Sequence, residues 1–571
     1  MVSEEKKLTY ADKPWLKSYV IGPFKLKHTM EPYPKINVYK FLEDSVANYP
    51  DNIACVYLDD EISYKDLKLK VDKLANALID LGLKKGDTVA SVLPSCPEFI
   101  LIDYAAMKMG AIHVPLSILH RTDELVHELK ESKAKTVLCS YRRLERIEET
   151  KNEVEIDNII YTPTKLFPDY NFPEMREISE EGYYSLDELL EKYDPLEETI
   201  EVDAVEDIAL LPFTGGTTGL PKGTMLTHYN ITTNVIQLMH WMLDPLKVGI
   251  VGKAAIVIAV PIFHAYGHFV IHSCTSMGLK MYLMDPRDMV RIADVIKKNR
   301  PFMVTGVPAH YMRFINLDIP KAPIFYLSGA APMPPDLADQ FEKKTGVPMG
   351  EGYGATETVA ASTVNISPLS KVTGFMASKK NGIGVPLPDT EVKIVDPETG
   401  EEIPFGESGE IWVRGPQVMK GYWPTPGNGL TDDGWLPMGD IGRMDEDGYF
   451  YIEDRIKDMI NVSGNKVYSR LIDDILHEHP AVSVAGVIGI PDSERPGSER
   501  VKAFITLNKE YESKITEQDI IDYLKDKVKP YAVPKYVEFR DDLPLTLAMK
   551  LFKRKLRTEE IAKMKERGEI K

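Results

Sequence analysis

The run Phe213-Thr214-Gly215-Gly216-Thr217-Thr218-Gly219-Leu220-Pro221-Lys222 concentrates glycines, hydroxyls and a lysine in a segment with little apolar mass. Glycine lets backbone N–H groups approach a ligand closely. Threonine hydroxyls add donors and the lysine adds a point charge, the makings of a phosphate cradle. It is not a Walker A loop, which needs Gly-Lys-Ser/Thr opening a helix. Here Pro221 stands directly before Lys222. That proline turns Leu220 away from helix, so the run reads as strand–loop–strand. On these residues alone a plain glycine hairpin is the commoner meaning, and the rest of the chain must decide.

A second cluster invites chemistry. His264, His268 and His272 recur every fourth residue, which on a helix gathers them on one face as zinc ligands would be. No carboxylate accompanies them in His-Glu-x-x-His form, so His268 and His272 are expected to be packing residues.

Such residues need a scaffold. Ser63 before Asp66 starts a helix in capping-box fashion, and Leu67, Val71, Leu74, Ala75 and Leu78 continue it to a stop at Gly82. Thr88–Leu93 reads as a strand, Glu98–Met109 as a helix, Ala111–Leu116 and Thr136–Cys139 as strands. The alternation predicts a mostly parallel sheet. It recurs with strands at Ala254–Val260, Phe302–Val307 and Ile324–Ser328 and a helix at Met289–Asn299, predicting a second sheet. Open α/β sheets bind ligands beyond the carboxyl ends of their strands. Ser328-Gly329-Ala330-Ala331-Pro332 and Gly352-Tyr353-Gly354 fall in such places. Glu391–Val395 and Glu410–Arg414 alternate like antiparallel strands. After Asp454 comes a small α/β unit, with strands at Val484–Ile490 and Val501–Leu507 and a helix at Glu517–Val528.

At 571 residues the chain exceeds one ordinary core. Its net charge of −18 argues against nucleic acid or an anionic membrane as the main partner. The acidic run between Glu181 and Asp207 reads as a solvated connector. Cys55, Cys96, Cys139 and Cys274 are scattered, without metal-like pairing or a disulfide framework, which fits a reducing cytoplasm. The stretch Met1 to Tyr10 lacks an apolar signal core. The most apolar segment, Ala254–Val260, is far too short for a transmembrane span.

The motifs fall in one order: Thr214-Gly-Gly-Thr-Thr-Gly-Leu-Pro-Lys222-Gly223, Pro261-Ile-Phe-His264-Ala-Tyr-Gly267, Gly352-Tyr353-Gly-Ala-Thr356-Glu357, Gly439-Asp440, Asp454-Arg455-Ile-Lys457-Asp458 and a late Lys550. Over nearly the whole chain this resembles the adenylate-forming (AMP-binding) superfamily of acyl-CoA synthetases, firefly luciferase and peptide-synthetase adenylation domains. The resemblance implies an α/β fold. A large N-terminal AMP- and acyl-binding domain, residues 1–453, would hold two mostly parallel sheets and a β-rich subdomain. A small mobile α+β lid domain, residues 454–571, would follow. It also implies the chemistry: a carboxylate attacks the α-phosphate of ATP, and a thiol then displaces AMP from the acyl adenylate.

The resemblance assigns roles. Thr214, Gly216, Thr217, Thr218 and Lys222 would grip the triphosphate. Thr356 and Glu357 would touch the α-phosphate, with Glu357 holding Mg²⁺. Tyr353, between Gly352 and Gly354, would stack on adenine opposite Gly329, Ala330, Ala331 and Pro332. Asp440 and Arg455 would contact the ribose, Asp454 would be the hinge, and Lys550 would be the adenylation lysine. His264 would stand where acyl pocket and pantetheine tunnel meet. Departures from the family pattern are visible. Gly215 replaces a common serine, Ala548-Met549 replaces Ser-Gly before Lys550, and Ser469 and Leu471 replace proline and glutamate. The last two belong to the thioester-forming face.

The reaction favoured by the resemblance is ATP-dependent activation of a carboxylic acid and transfer to CoA, an acid–thiol ligase of the long-chain fatty acid–CoA type. The Thr-Gly-Gly-Thr-Thr-Gly form looks most like medium- and long-chain fatty acyl-CoA synthetases, with aryl acids as the second choice. An acyl pocket is expected around Tyr229–Leu243, His264–Met277, Thr305–Ala309 and Gly329–Ala331. A carrier-loading adenylation enzyme usually has an aspartate where His264 stands. Two further functions share these motifs, a luciferase-like oxygenase and a non-catalytic AMP-binding protein. The partners expected are small molecules (the acid, ATP and CoA) with Mg²⁺, no nucleic acid, no transmembrane segment but transient membrane contact for a long-chain acid, and a cytoplasmic monomer or homodimer.

Overall fold

The computed structural model describes residues 9–214, 220–375, 379, 382–495, 497–544 and 551–570. Thus Gly216, Thr217, Thr218 and Lys550 lie outside the described residues.

The first sheet has nine strands. Ile112–Ser117, Thr88–Leu93, Thr136–Ser140, Asn158–Thr162 and Tyr183–Ser185 run parallel. At the other edge Ile208–Leu210 pairs antiparallel with Lys222–Thr227. The second sheet also has nine strands. Its parallel centre runs from Gly350–Tyr353 through Phe325–Ser328, Met303–Gly306, Ala255–Ile258 and Lys280–Leu283 to Ile53–Tyr57. The expected strands are present, with ends moved by a residue or two.

The sheets share one apolar layer. Ile256 and Ile258 enter it with Val89, Leu93 and Leu138 of the first sheet, while Val257 faces the outer helices. This is the two-residue period of a strand buried on both faces. Helix Pro97–Lys108 lies in the shared layer, with apolar residues all around its axis. Helix Ala265–Ser276 enters the same layer.

The expected antiparallel subdomain is a four-stranded sheet, Glu391–Val395, Gly409–Arg414, Leu436–Met444 and Phe450–Arg455. Its last strand runs through Asp454, with Asp440 opposite Arg455 and Ile441 opposite Asp454. Beyond it a separate apolar cluster joins Ile460, Ile472, Val487, Ile505 and Val537. There Val482–Pro491, Glu499–Leu507 and Tyr536–Phe539 form a three-stranded sheet under helices Ser469–His477 and Glu517–Lys525.

Candidate active site

The strand–loop–strand is an antiparallel pair, Phe213–Thr214 with Lys222–Thr227, placing Thr214 opposite Lys222. On the far side Lys222–Thr227 pairs with Gly421–Tyr422. The Lys222 ammonium stands over the Tyr422 ring, 5.1 Å from its centroid. Tyr422 Oη donates to Glu357 Oε1 at 2.6 Å. The phosphate-type hairpin, Tyr422 and the Thr-Glu pair are therefore one connected structure.

Tyr353 ends a parallel strand of the second sheet, and Thr356–Thr358 follows as a 3₁₀ turn. Gly354 is obligatory here, because a Cβ would lie 2.2 Å from the Ala360 carbonyl oxygen. Tyr353 Oη donates to Asp440 Oδ2 at 2.8 Å. Arg455 Nε reaches Asp440 Oδ1 at 2.9 Å. Burial, then Asp440, pushes the Tyr353 phenol well above its ordinary range. The Asp440 charge holds the Arg455 guanidinium up.

Gly329 and Ala330 follow the next strand, Phe325–Ser328, at the same sheet end. Ala330 has φ +64°, a strained value for an L-residue. A Cβ on Gly329 would sit 3.2 Å from the Tyr266 ring. Beside them lies a narrow cavity of about 10 Å³ lined by His264, Tyr266, Val307, Ala330, Pro286 and His310. Pro286 and His310 were outside the expected pocket segments. Of those segments, Tyr229–Leu243 does not line this cavity.

The three histidines do not act as one face. His264 caps helix Ala265–Ser276, its Nδ1 accepting from the Tyr266 N–H at 3.5 Å. His268 and His272 turn to a carboxylate that sequence spacing did not supply, Asp103 of helix Pro97–Lys108. His268 Nε2 and His113 Nδ1 both lie on Asp103 Oδ1, at 2.8 and 2.7 Å. His272 Nε2 stands 3.4 Å from Oδ2. Burial alone would raise the Asp103 carboxyl. His268, His272 and His113 outweigh burial and hold it well below the usual carboxylate range. An ionised carboxylate only accepts, so His268 Nε2 and His113 Nδ1 donate to it. These histidines form a buried polar network rather than apolar packing.

Asp454, almost fully buried, accepts from its neighbour Arg455 N at 2.8 Å. Ser469 Oγ and Arg470 N also donate to it, each at 3.4 Å. Lys553 Nζ donates to Ser469 Oγ at 2.8 Å and pairs with Asp473 at 2.6 Å. Burial would lower the Lys553 ammonium, but Asp473 and Asp454 hold it up.

Two residues of this region carry no motif signal. Tyr422 sits in a short bridging strand, and only the sheet pairing brings it to Glu357. Glu351, two residues before Tyr353, accepts from Met333 N at 3.2 Å. Burial pushes its carboxyl up to about 7, with Arg470 of the small unit opposing.

Among the described residues no helix is long and apolar enough to cross a membrane. All four cysteines are buried free thiols.

Known proteins resemble this chain over most of its length. The family model described as AMP-binding enzyme matches residues 42–423, and that of the AMP-binding enzyme C-terminal domain matches residues 471–550. A long-chain-fatty-acid–CoA ligase of Bacillus subtilis (strain 168) is 33% identical over 572 residues, covering 96% of this chain and 98% of the relative. The crystal structure of ATP-bound MatB from Rhodopseudomonas palustris overlays with TM-score 0.79 at 27% identity, covering 92% of this chain and 99% of that one. The apo form of the same protein, with the same identity and coverage, overlays with TM-score 0.70. The chain belongs to the AMP-binding enzyme family, the adenylate-forming ligases its motif order resembles.

Proposed function

We propose that this chain joins a medium- or long-chain fatty acid to CoA through an acyl adenylate. The observation that carries the reading is the convergence of Lys222, Tyr353, Glu357, Asp440 and Arg455, from separate segments, at the carboxyl ends of the second sheet. A nucleotide there has a carboxylate for ribose hydroxyls, an aromatic ring beside a glycine-bearing turn for adenine, and a cation at the phosphate end.

In the first step a carboxylate oxygen of the acid attacks the α-phosphorus. The bond to the bridging oxygen breaks and pyrophosphate leaves with its electrons. Charge spreads over the phosphoryl oxygens, so fixed donors and cations lower the barrier. Lys222, Thr214, Gly216, Thr217 and Thr218 grip the leaving pyrophosphate. Thr356 faces the α-phosphate, and Lys550 reaches the reacting oxygens. Glu357 suits Mg²⁺, because its Oε2 has no hydrogen-bond partner among the described residues and hard cations take carboxylate oxygen. Bound there, Mg²⁺ would neutralise charge on the phosphates. In the second step the CoA sulfur, having lost its proton, attacks the acyl carbon and AMP departs with the C–O electron pair. His264 lines the passage between the two substrates.

We read residues 1–453 as the body and residues 454–571 as a lid turning about Asp454, in a cytoplasmic monomer or homodimer. Tyr266 and Ala330 bound the small cavity beside the Gly329 turn, which we assign to the start of the acyl site. Each buried methylene stabilises by about 0.8 kcal/mol, so a long channel favours long acids. The test is thioester formation with ATP, Mg²⁺, CoA and a panel of C4–C18 fatty and aryl acids. Highest kcat/KM with fatty acids of C8 or longer is expected. A preference for aryl acids would replace the substrate assignment, and no pyrophosphate exchange with any acid would overturn the enzyme assignment.

A further inference from the structure

Glu357 is fixed from outside its own motif. Its backbone carbonyl accepts from Met419 N at 2.8 Å, and its Oε1 accepts from Tyr422 Oη at 2.6 Å. Tyr422 is in turn held by the sheet, opposite Thr224 of the strand that begins at Lys222. The turn around it is tightly built. A Cβ on Gly421 would lie 2.6 Å from Gly427 N, and one on Gly429 would lie 2.6 Å from the Tyr422 ring. The phenol therefore has little freedom to leave Glu357.

The same ring carries the Lys222 ammonium on its face, 5.1 Å from the centroid. The neutral phenol donates a hydrogen bond to the Glu357 carboxylate. A phenol donating to a carboxylate gains electron density, which favours a cation over its face. One side chain thus touches both the base of the phosphate hairpin and the carboxylate opposite it.

We propose that Tyr422 is a positioning residue: it pins one oxygen of Glu357 so that the other, together with Lys222, meets the nucleotide's phosphates and their metal as one preset unit. The proposal rests on the reading of Glu357 as the metal-holding carboxylate. A purely structural tyrosine would affect stability and leave metal affinity alone.

The test uses Tyr422→Phe in the full chain, which keeps the ring and removes the hydroxyl. Mn²⁺ replaces Mg²⁺, and its affinity for the enzyme with a non-hydrolysable ATP analogue is read by electron paramagnetic resonance. The loss of one charge-assisted hydrogen bond predicts about 5–20-fold weaker Mn²⁺ binding. The unfolding midpoint should change by no more than about 2 °C, since a lone half-exposed bond contributes little to so large a chain. Glu357→Gln should weaken Mn²⁺ binding further, and adding Tyr422→Phe to it should cost nothing more, because the two act as a unit. Unchanged Mn²⁺ affinity in Tyr422→Phe with a clear loss in Glu357→Gln would overturn the positioning role alone. Unchanged affinity in Glu357→Gln would instead overturn the metal reading beneath it. Should Tyr422→Phe fold poorly, Tyr422→His, which keeps a flat ring in less volume but moves the donor, must also weaken Mn²⁺ binding; full affinity there overturns the proposal.

Discussion

Tyr353 and Asp440, 87 residues apart in sequence, are joined by a 2.8 Å hydrogen bond from phenol to carboxylate. Arg455 holds the other oxygen of the same carboxylate at 2.9 Å. An incoming ribose meets an acceptor already oriented from both sides. Asp440→Asn should weaken ATP binding by about 10–100-fold, the value of a charge-assisted hydrogen bond. Tyr353→Phe keeps the ring and the carboxylate and should cost less than about 5-fold. Calorimetric titration with ATP checks both, and a larger effect from Tyr353→Phe would reverse the assignment.

Lys550 lies outside the described residues, and its role rests on the motif order. A cation placed at charge that develops only in the transition state contributes about 10²–10³ in rate. Lys550→Ala should slow pyrophosphate exchange by that factor while leaving thioester formation from supplied acyl adenylate within about 3-fold. Equal losses in the two half-reactions would remove Lys550 from the first step.

Ser469 bridges Lys553 to Asp454, the residue read as the hinge. Ser469→Ala removes that bridge and shifts the balance away from this arrangement. Pyrophosphate exchange should fall by about 3–10-fold, with thioester formation from acyl adenylate unchanged or faster. Separate assays of the two half-reactions decide; a loss confined to the second would contradict the linkage.

Glu351 is raised to about 7 by burial. A carboxyl raised on folding stabilises below its unfolded value and loses that contribution as pH rises through the folded one. Between pH 5 and pH 8 the wild type should therefore lose on the order of 2 kcal/mol from this group. Glu351→Gln is neutral throughout. It should raise the apparent Tm at pH 8 and leave it nearly unchanged at pH 5, which differential scanning calorimetry at the two pH values tests.

The Asp103 network predicts the opposite slope at acid pH. Burial lowers His272 to about 3, so the native ring stays neutral while an unfolded one takes up a proton below its ordinary value of 6.5. Asp103, held below the usual range, adds stability that is also lost as pH falls. Apparent Tm should drop steadily from pH 6.5 toward pH 4. Asp103→Asn, which weakens the hydrogen bonds that His113 and His268 make to this carboxylate, should destabilise by about 1–3 kcal/mol at pH 7. A flat acid limb in the wild type would show that the network does not titrate as described.

Local signals set much of this protein. The hydrophobic periods of Thr88–Leu93, Met289–Asn299 and Glu391–Val395 match their elements, because side-chain alternation and helical spacing are properties of neighbouring residues. Pro221 before Lys222 fixed the strand–loop–strand for the same reason. The motif order placed Tyr353, Glu357 and Asp440 among the candidates, since each recurs in a short local pattern. Three features had no local signal. Tyr422 reaches Glu357 through strand pairing, Asp103 reaches His268 and His272 across two helices, and the Glu351 carboxyl is raised by burial beside another unit. Contacts between distant segments and the desolvation they bring exist only once the chain has folded, so the residue types were legible beforehand and their partners and charge states were decided by tertiary structure.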